Sequence, residues 1–175
     1  MKKAIFLAFL TFLFAFLSLL KSALKGGPFV PTPKRIIRKA LKLAGLKEGE
    51  ILYDLGAGIG NVLIIGEKEF GAKVVGFEFS PILYFLAKLN LFFHQIKGKI
   101  YYQNFFEAKI KNADVIFLYL TPKILEKLKE KLKKELKPGT RIVCFSSPIP
   151  SWQPTKIFPL EETRCKINLY LYLIK

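Results

Sequence analysis

The sequence is poor in the residues on which metal and nucleophile chemistry depends. Its 175 residues hold two cysteines, Cys144 and Cys165, and one histidine, His94. That excludes a disulfide framework, and it excludes a four-ligand zinc site made by this chain alone. No metal is expected, and a Ser-His-Asp or Cys-His hydrolase would have to depend on His94. Acids are scarce too: 13 Asp and Glu stand against 29 Lys and Arg, a formal charge of +16. Such a charge suits nucleic acid, an acidic protein or an anionic membrane, and does not choose among them. Glycine and proline are present at ordinary levels in a chain that is 51% apolar, which excludes disorder and collagen-like repeats. The length is that of one domain.

What is abundant is apolar sequence at the start. Ala4 to Leu20 is a 17-residue stretch without charge, interrupted only by Thr11 and Ser18. As a helix it would span roughly 25 Å, the short end of a membrane crossing. A cleaved signal peptide would have a shorter apolar core and a small-residue cleavage site, whereas Lys21-Ser22-Ala23-Leu24-Lys25 follows. A buried core helix would carry a polar stripe, and this one carries none. The expectation is an uncleaved N-terminal transmembrane helix, with the signal-peptide and core-helix readings left as alternatives. Lys2 and Lys3 precede the stretch, but Lys21, Lys25, Lys34, Arg35, Arg38, Lys39 and Lys42 follow it, so the charge balance keeps the C-terminal domain cytoplasmic. Gly26-Gly27-Pro28 closes the anchor and linker, residues 1–28, and residues 29–175 form the folded domain.

From there helical and strand patterns alternate. Helices are expected at Pro33 to Ala44, Gly60 to Phe70, Pro81 to Gln95 and Pro122 to Leu136. Strands are expected at Ile51 to Leu55, Lys73 to Phe79, Lys99 to Gln103, Ala113 to Leu120 and Thr140 to Ser146. Alternation implies parallel pairing through right-handed crossovers, hence an α/β, Rossmann-like, doubly wound sheet. The Pro-rich segment 147–154 cannot form a helix, so the last strands, Lys156 to Leu160 and Ile167 to Ile174, make an antiparallel C-terminal edge.

The most informative stretch is Asp54-Leu-Gly56-Ala57-Gly58-Ile-Gly60-Asn61. A buried strand runs into a glycine-rich turn, and a helix begins at once, its free N–H groups facing the crevice where strand order reverses. Dinucleotide sites space their glycines two and then three apart; here the spacing is two and two, behind an acid. That suits S-adenosylmethionine, which brings no phosphate and carries a cation. Glu78 lies 22 residues beyond Gly56 at the end of the second strand, placed to accept from both ribose hydroxyls. A capping or surface carboxylate is the plainer alternative. Phe79 is placed to cover an adenine face, and Asn104 to meet the adenine edge, although a loop asparagine also serves as turn chemistry.

The run Phe29-Val-Pro-Thr32-Pro33, the glycine turn, the Glu78 strand, Lys137-Pro138-Gly139-Thr140-Arg141 and the loop around Trp152 together resemble a known group. It is the small class I S-adenosylmethionine-dependent protein-lysine methyltransferases, which include ATP synthase c subunit and broad-specificity archaeal enzymes. The resemblance covers residues 29–175. It implies that Asp54, Gly56, Gly58 and Gly60 hold the methionine part, Glu78 the ribose and Asn104 with Phe105 the adenine. It also places Thr32 near the cofactor. Asn104 stands where the group usually has an aspartate, and the Ile59-Gly60 pair replaces an acid common among its members.

Methyl transfer to lysine needs alignment and a neutral amine, because free lysine titrates near pH ~10.4. Tyr119 and Thr121, at the end of the fourth strand, are the candidates for guiding that amine; strand packing and helix capping are the alternatives. The expected substrate is a protein in or beside a membrane, on an anionic surface. The Pro81 to Gln95 helix is unusually apolar for an outer helix, which suits contact with the bilayer or a membrane-embedded substrate. Seven lysines from Lys123 to Lys137 read first as a solvated face and second as a lipid contact. A small-molecule or lipid methyltransferase, a nucleic-acid methyltransferase and a binding module without chemistry remain alternatives. Nucleic acid is not expected, since Tyr119-Leu-Thr-Pro122 lacks the Asn/Asp-Pro-Pro-Tyr/Phe signature of exocyclic-amine enzymes.

Overall fold

The computed structural model describes residues 30–160 and 167–175, together with Lys2, Lys3, Ile5, Phe6, Phe9 and Leu13, which are helical and exposed. Most of the expected membrane anchor and Cys165 lie outside the described residues. Among the described residues no helix is long and apolar enough to cross a membrane.

The order of elements is α1 (Lys34–Leu43), β1 (Ile51–Leu55), α2 (Asn61–Phe70), β2 (Lys73–Glu78), α3 (Pro81–Phe93), β3 (Lys99–Tyr102), β4 (Val115–Leu118), α4 (Pro122–Glu135), β5 (Arg141–Phe145), β6 (Lys156–Leu160) and β7 (Ile167–Leu173). Among the described residues seven strands form one sheet in the order β3-β2-β1-β4-β5-β7-β6. β1 to β5 run parallel, while β7 lies antiparallel to both β5 and β6. The chain thus reverses direction across the sheet between β1 and β4, and the crevice opens there.

The apolar spacing decides which face each helix buries. α1 turns Ile36, Ile37, Ala40 and Leu41 inward against α2 and the sheet, and α4 buries Ile124, Leu125, Leu128 and Leu132 on the opposite face. Each such side chain contributes roughly 1.5–3 kcal/mol when fully buried. Pro33 falls one position earlier than its sequence suggests. It caps α1, and its carbonyl accepts from the N–H groups of Ile36 and Ile37 at 2.9 and 3.1 Å.

β4 is shorter than its apolar pattern. It begins at Val115, and just before it the Asp114 carboxylate accepts from Ile51 N–H at 2.8 Å and pairs with Lys137 at 2.7 Å. Between β3 and β4 the chain crosses back with turns instead of a helix, packing Phe105, Ala108, Ile110 and Ala113 under the sheet. The proline-rich loop before β6 is fixed by Tyr172 of β7, whose hydroxyl accepts from Ile149 N–H at 2.9 Å while Trp152 meets its ring edge-on.

Candidate active site

A cavity of about 780 Å³ opens at the carboxyl ends of β1, β2, β4 and β5. That volume is in the range of small-molecule sites, ~300–1,000 Å³. Of the residues singled out from sequence, Thr32, Asp54, Gly56, Ala57, Gly58, Asn61, Glu78, Phe79, Asn104, Phe105, Tyr119 and Thr121 all line it. Gly60 does not.

The glycine turn explains why. Gly56, Gly58 and Gly60 have φ of 102°, 54° and 84°, where a side chain is strained. Gly56 and Gly58 face the cavity. Gly60 faces α3 instead, and a Cβ there would stand 2.5 Å from the Leu91 side chain. It lets two helices close on each other at the start of α2. The turn is held from three sides. Gly56 and Ala57 N–H donate to Phe77 O at 3.0 and 2.9 Å, Asn90 of α3 donates to Ile59 O at 2.9 Å, and Gly58 N–H donates to Glu78 Oε2 at 2.9 Å.

Glu78 is the hub. Its second oxygen, Oε1, accepts from Ser80 N–H at 2.7 Å, so both oxygens are oriented by backbone and keep lone pairs for a further donor. Burial raises its pKa above the ordinary carboxylate value, against the pull of the Ser80, Gly58 and Phe79 amides. Asp54, 3% exposed, has no such support among the described residues. Burial, with the charge of Glu78 next in size, pushes its carboxyl up to about 8. A cation brought to this point would restore the carboxylate. The residues present therefore fit a nucleoside carrying a sulfonium: a buried acid faces the positive charge, and an oriented carboxylate is left for two hydroxyls.

The other half of the cavity is neutral. Tyr119 lies 4.5 Å, centroid to centroid, from the Phe145 ring. Thr121 caps α4 through its backbone; its hydroxyl makes no cap bond and is left to the cavity. Ser146 and Ser147 continue this wall from β5. Ser146 has φ of 74°, and its N–H donates to Asn168 O at 2.9 Å. A serine in that conformation is strained, and it is placed at the site. Lys123 and Lys127 stand on the rim.

Asn104 lines the cavity while forming a turn of its own: Oδ1 accepts from Phe106 N–H at 3.1 Å and Nδ2 donates weakly to Glu107 at 3.4 Å. His94 is exposed at the end of α3, its Nδ1 2.9 Å from Asn90 O, and is not part of the cavity. Cys144 is buried in β5, its thiol pushed up by burial. Reasoning from sequence missed Ser146, whose strain follows from its pairing with β7, and Asn90, a lone amide in an apolar helix.

Residues 54–156 match the ANTKMT methyltransferase domain. The protein-lysine N-methyltransferase of Saccharolobus islandicus (strain REY15A) is 37% identical over 84% of this chain and 93% of its own. The adenine nucleotide translocase lysine N-methyltransferase of Mus musculus is 26% identical over 74% of this chain, which spans 57% of that protein. Among solved structures, an RNA methyltransferase from Salinibacter ruber in complex with S-adenosyl-L-homocysteine superposes with a TM-score of 0.79 and 34% identity, covering 83% of this chain and 94% of that one. The fold, the glycine turn with its two acids and these similarities agree, and this chain belongs to the ANTKMT methyltransferase domain family.

Proposed function

We propose that this protein is an S-adenosylmethionine-dependent protein-lysine N-methyltransferase, tethered by its N-terminal segment to a membrane and acting on a protein in or beside that membrane. The observation that carries the reading is the division of the cavity. Among the described residues both of its acids, Asp54 and Glu78, lie on the β1–β2 side, and the polar side chains of the β4–β5 side are neutral hydroxyls and rim lysines. The identity with the Saccharolobus protein supports lysine as the acceptor.

Bound there, S-adenosylmethionine supplies a methyl carbon on a positively charged sulfur, open to in-line attack by a neutral amine. Glu78 accepts from the ribose hydroxyls, with Gly58 and Ser80 N–H fixing its orientation. Asp54 faces the sulfonium and the methionine amine. Phe79 and Phe105 enclose the base, with Asn104 at its edge, and Thr32 closes the site from the N-terminal side. Tyr119 and Thr121 accept from the incoming amine and aim its lone pair. Lys123 and Lys127 disfavour a second positive charge at the mouth, which helps a lysine arrive neutral; its proton leaves to water.

The charge-free stretch Ala4 to Leu20, followed by its basic flank, supports the tether and a cytoplasmic catalytic domain. Extraction of membranes at high pH tests it. The protein is expected in the pellet, and release to the supernatant would contradict the tether.

Similarity to the Salinibacter structure and the charge of +16 favour a second reading, methylation of RNA. Incubation with methyl-labelled cofactor and separated protein, lipid and RNA fractions distinguishes them. Label recovered as methyl-lysine after acid hydrolysis is expected. Label confined to RNA nucleosides or to lipid would replace the lysine reading.

A further inference from the structure

α3 lacks the polar outer face of an ordinary surface helix: it is apolar on both faces. Leu83, Ala87 and Leu91, at spacings of four, are buried against the sheet. On the outer face Phe85, Phe92 and Phe93 are 61, 76 and 75% exposed, and Leu86 and Leu89 lie between them. Tyr102 of the edge strand β3, half-exposed, packs against Tyr84 and extends the patch. Single exposed apolar residues are ordinary; a continuous row along a helix ~20 Å long marks an interaction site.

The charge around the row indicates what covers it. No acid occurs between Glu78 and Glu107, whereas Lys88, Lys97 and Lys99 are exposed among the rings. Glu67 of α2, which reaches this region, is engaged by the N–H groups of Lys97 and Gly98 at 2.7 and 2.8 Å. A row of phenyl and isobutyl groups flanked by lysines and tyrosines, without carboxylates, matches the headgroup boundary of an anionic bilayer. Val30, where the described domain begins, is exposed and lies on the cavity rim. Leu83, in the first turn of α3, lines the same cavity.

We propose that the outer face of α3 lies in the headgroup region of an anionic membrane, as a second contact beyond the N-terminal tether that holds the site beside the bilayer. The inference builds on the tethered reading but is tested apart from it. A nitroxide is placed at Phe9→Cys, Phe92→Cys or Lys133→Cys in the full chain carrying Cys165→Ser, reconstituted in phosphatidylcholine vesicles containing phosphatidylserine. Collisions with oxygen and with a water-soluble nickel chelate are then measured. At Phe92 the inference expects high oxygen and low nickel accessibility; at Lys133, the reverse. High nickel accessibility at Phe92 would overturn it. So would low accessibility to both probes, which would mean that the face is covered by protein, either the chain's own N-terminal segment or a second copy. The label at Phe9 reports the tether independently: in water it contradicts the anchor, whatever Phe92 shows. As a functional check, Phe92→Glu with Phe93→Glu is expected to lower methylation of a bilayer-inserted lysine peptide about tenfold or more, the scale of one buried phenyl group. Methylation of a water-soluble lysine peptide is expected to stay unchanged. An equal loss on both peptides, or none on either, would contradict the second contact.

Discussion

The β1–β2 side of the cavity contributes two buried carboxyls and two left-handed glycines, whereas the β4–β5 side contributes Tyr119, Thr121, Ser146 and Ser147 and no acid. On the first side the cost of burying acids shows in the raised Asp54 and Glu78. A site keeps such groups buried when a ligand will compensate them, and a cation with two vicinal hydroxyls does so. On the second side a carboxylate would hold a lysine amine in its charged, unreactive form. Its absence suits a nucleophile that must arrive without a proton.

Substitutions on the first side should damage cofactor binding, and those on the second should affect turnover. Glu78→Ala should have the largest effect. It removes two charge-assisted hydrogen bonds to the ligand and the clasp on Gly58, so calorimetry should show affinity lower by ~100-fold or more. Unchanged affinity would move the ribose elsewhere.

Asp54→Asn comes next, with cofactor affinity lower by ~10- to 100-fold. It also tests the protonation of this group. The ligand-free protein holds a proton on Asp54 up to pH about 8, which the unfolded chain releases near pH ~3.9. In that window the folded state binds more protons, so this group makes stability fall as pH rises, and the asparagine variant should lack that slope in thermal unfolding. Wild-type affinity for the cofactor should rise with pH through about 8 as Asp54 ionises, and the variant should be flat.

Tyr119→Phe should lower kcat by less than about tenfold with cofactor affinity unchanged, as expected for a positioning hydroxyl. Lys127→Glu should have the smallest effect. It places an acid at the exposed rim and should move the pH–rate profile upward by a few tenths of a unit at low salt. A downward move would contradict the electrostatic role of the rim.

Much of the first side was legible in the sequence because its chemistry is local. Asp54, the glycines and Asn61 lie on one continuous turn, and Glu78 ends the next strand in the parallel register of Asp54 with Gly76. The second side depends on pairings distant in sequence. Ser146 acquires its strain from Asn168 of β7, and the same holds for one support of the first side, where Asn90 reaches the turn across 31 residues. Gly60 was misleading in a different way, since its place in the motif suggested a ligand contact while its neighbours Ala87 and Leu91 are packing residues of α3. The sheet itself followed from the alternation of elements, and the edge strands from the prolines of residues 147–154. The apolar excess of α3 was also visible in sequence, but its division into a buried and an outer row needed the fold.

The most direct test of the two-sided cavity is a crystal structure of the full chain with S-adenosyl-L-homocysteine and a lysine peptide. The ribose should lie on Glu78 and the sulfur between Asp54 and Tyr119, with the lysine amine arriving past Thr121. A nucleoside bound away from Glu78, or an amine reaching the sulfur from the β2–β3 side, would contradict the account.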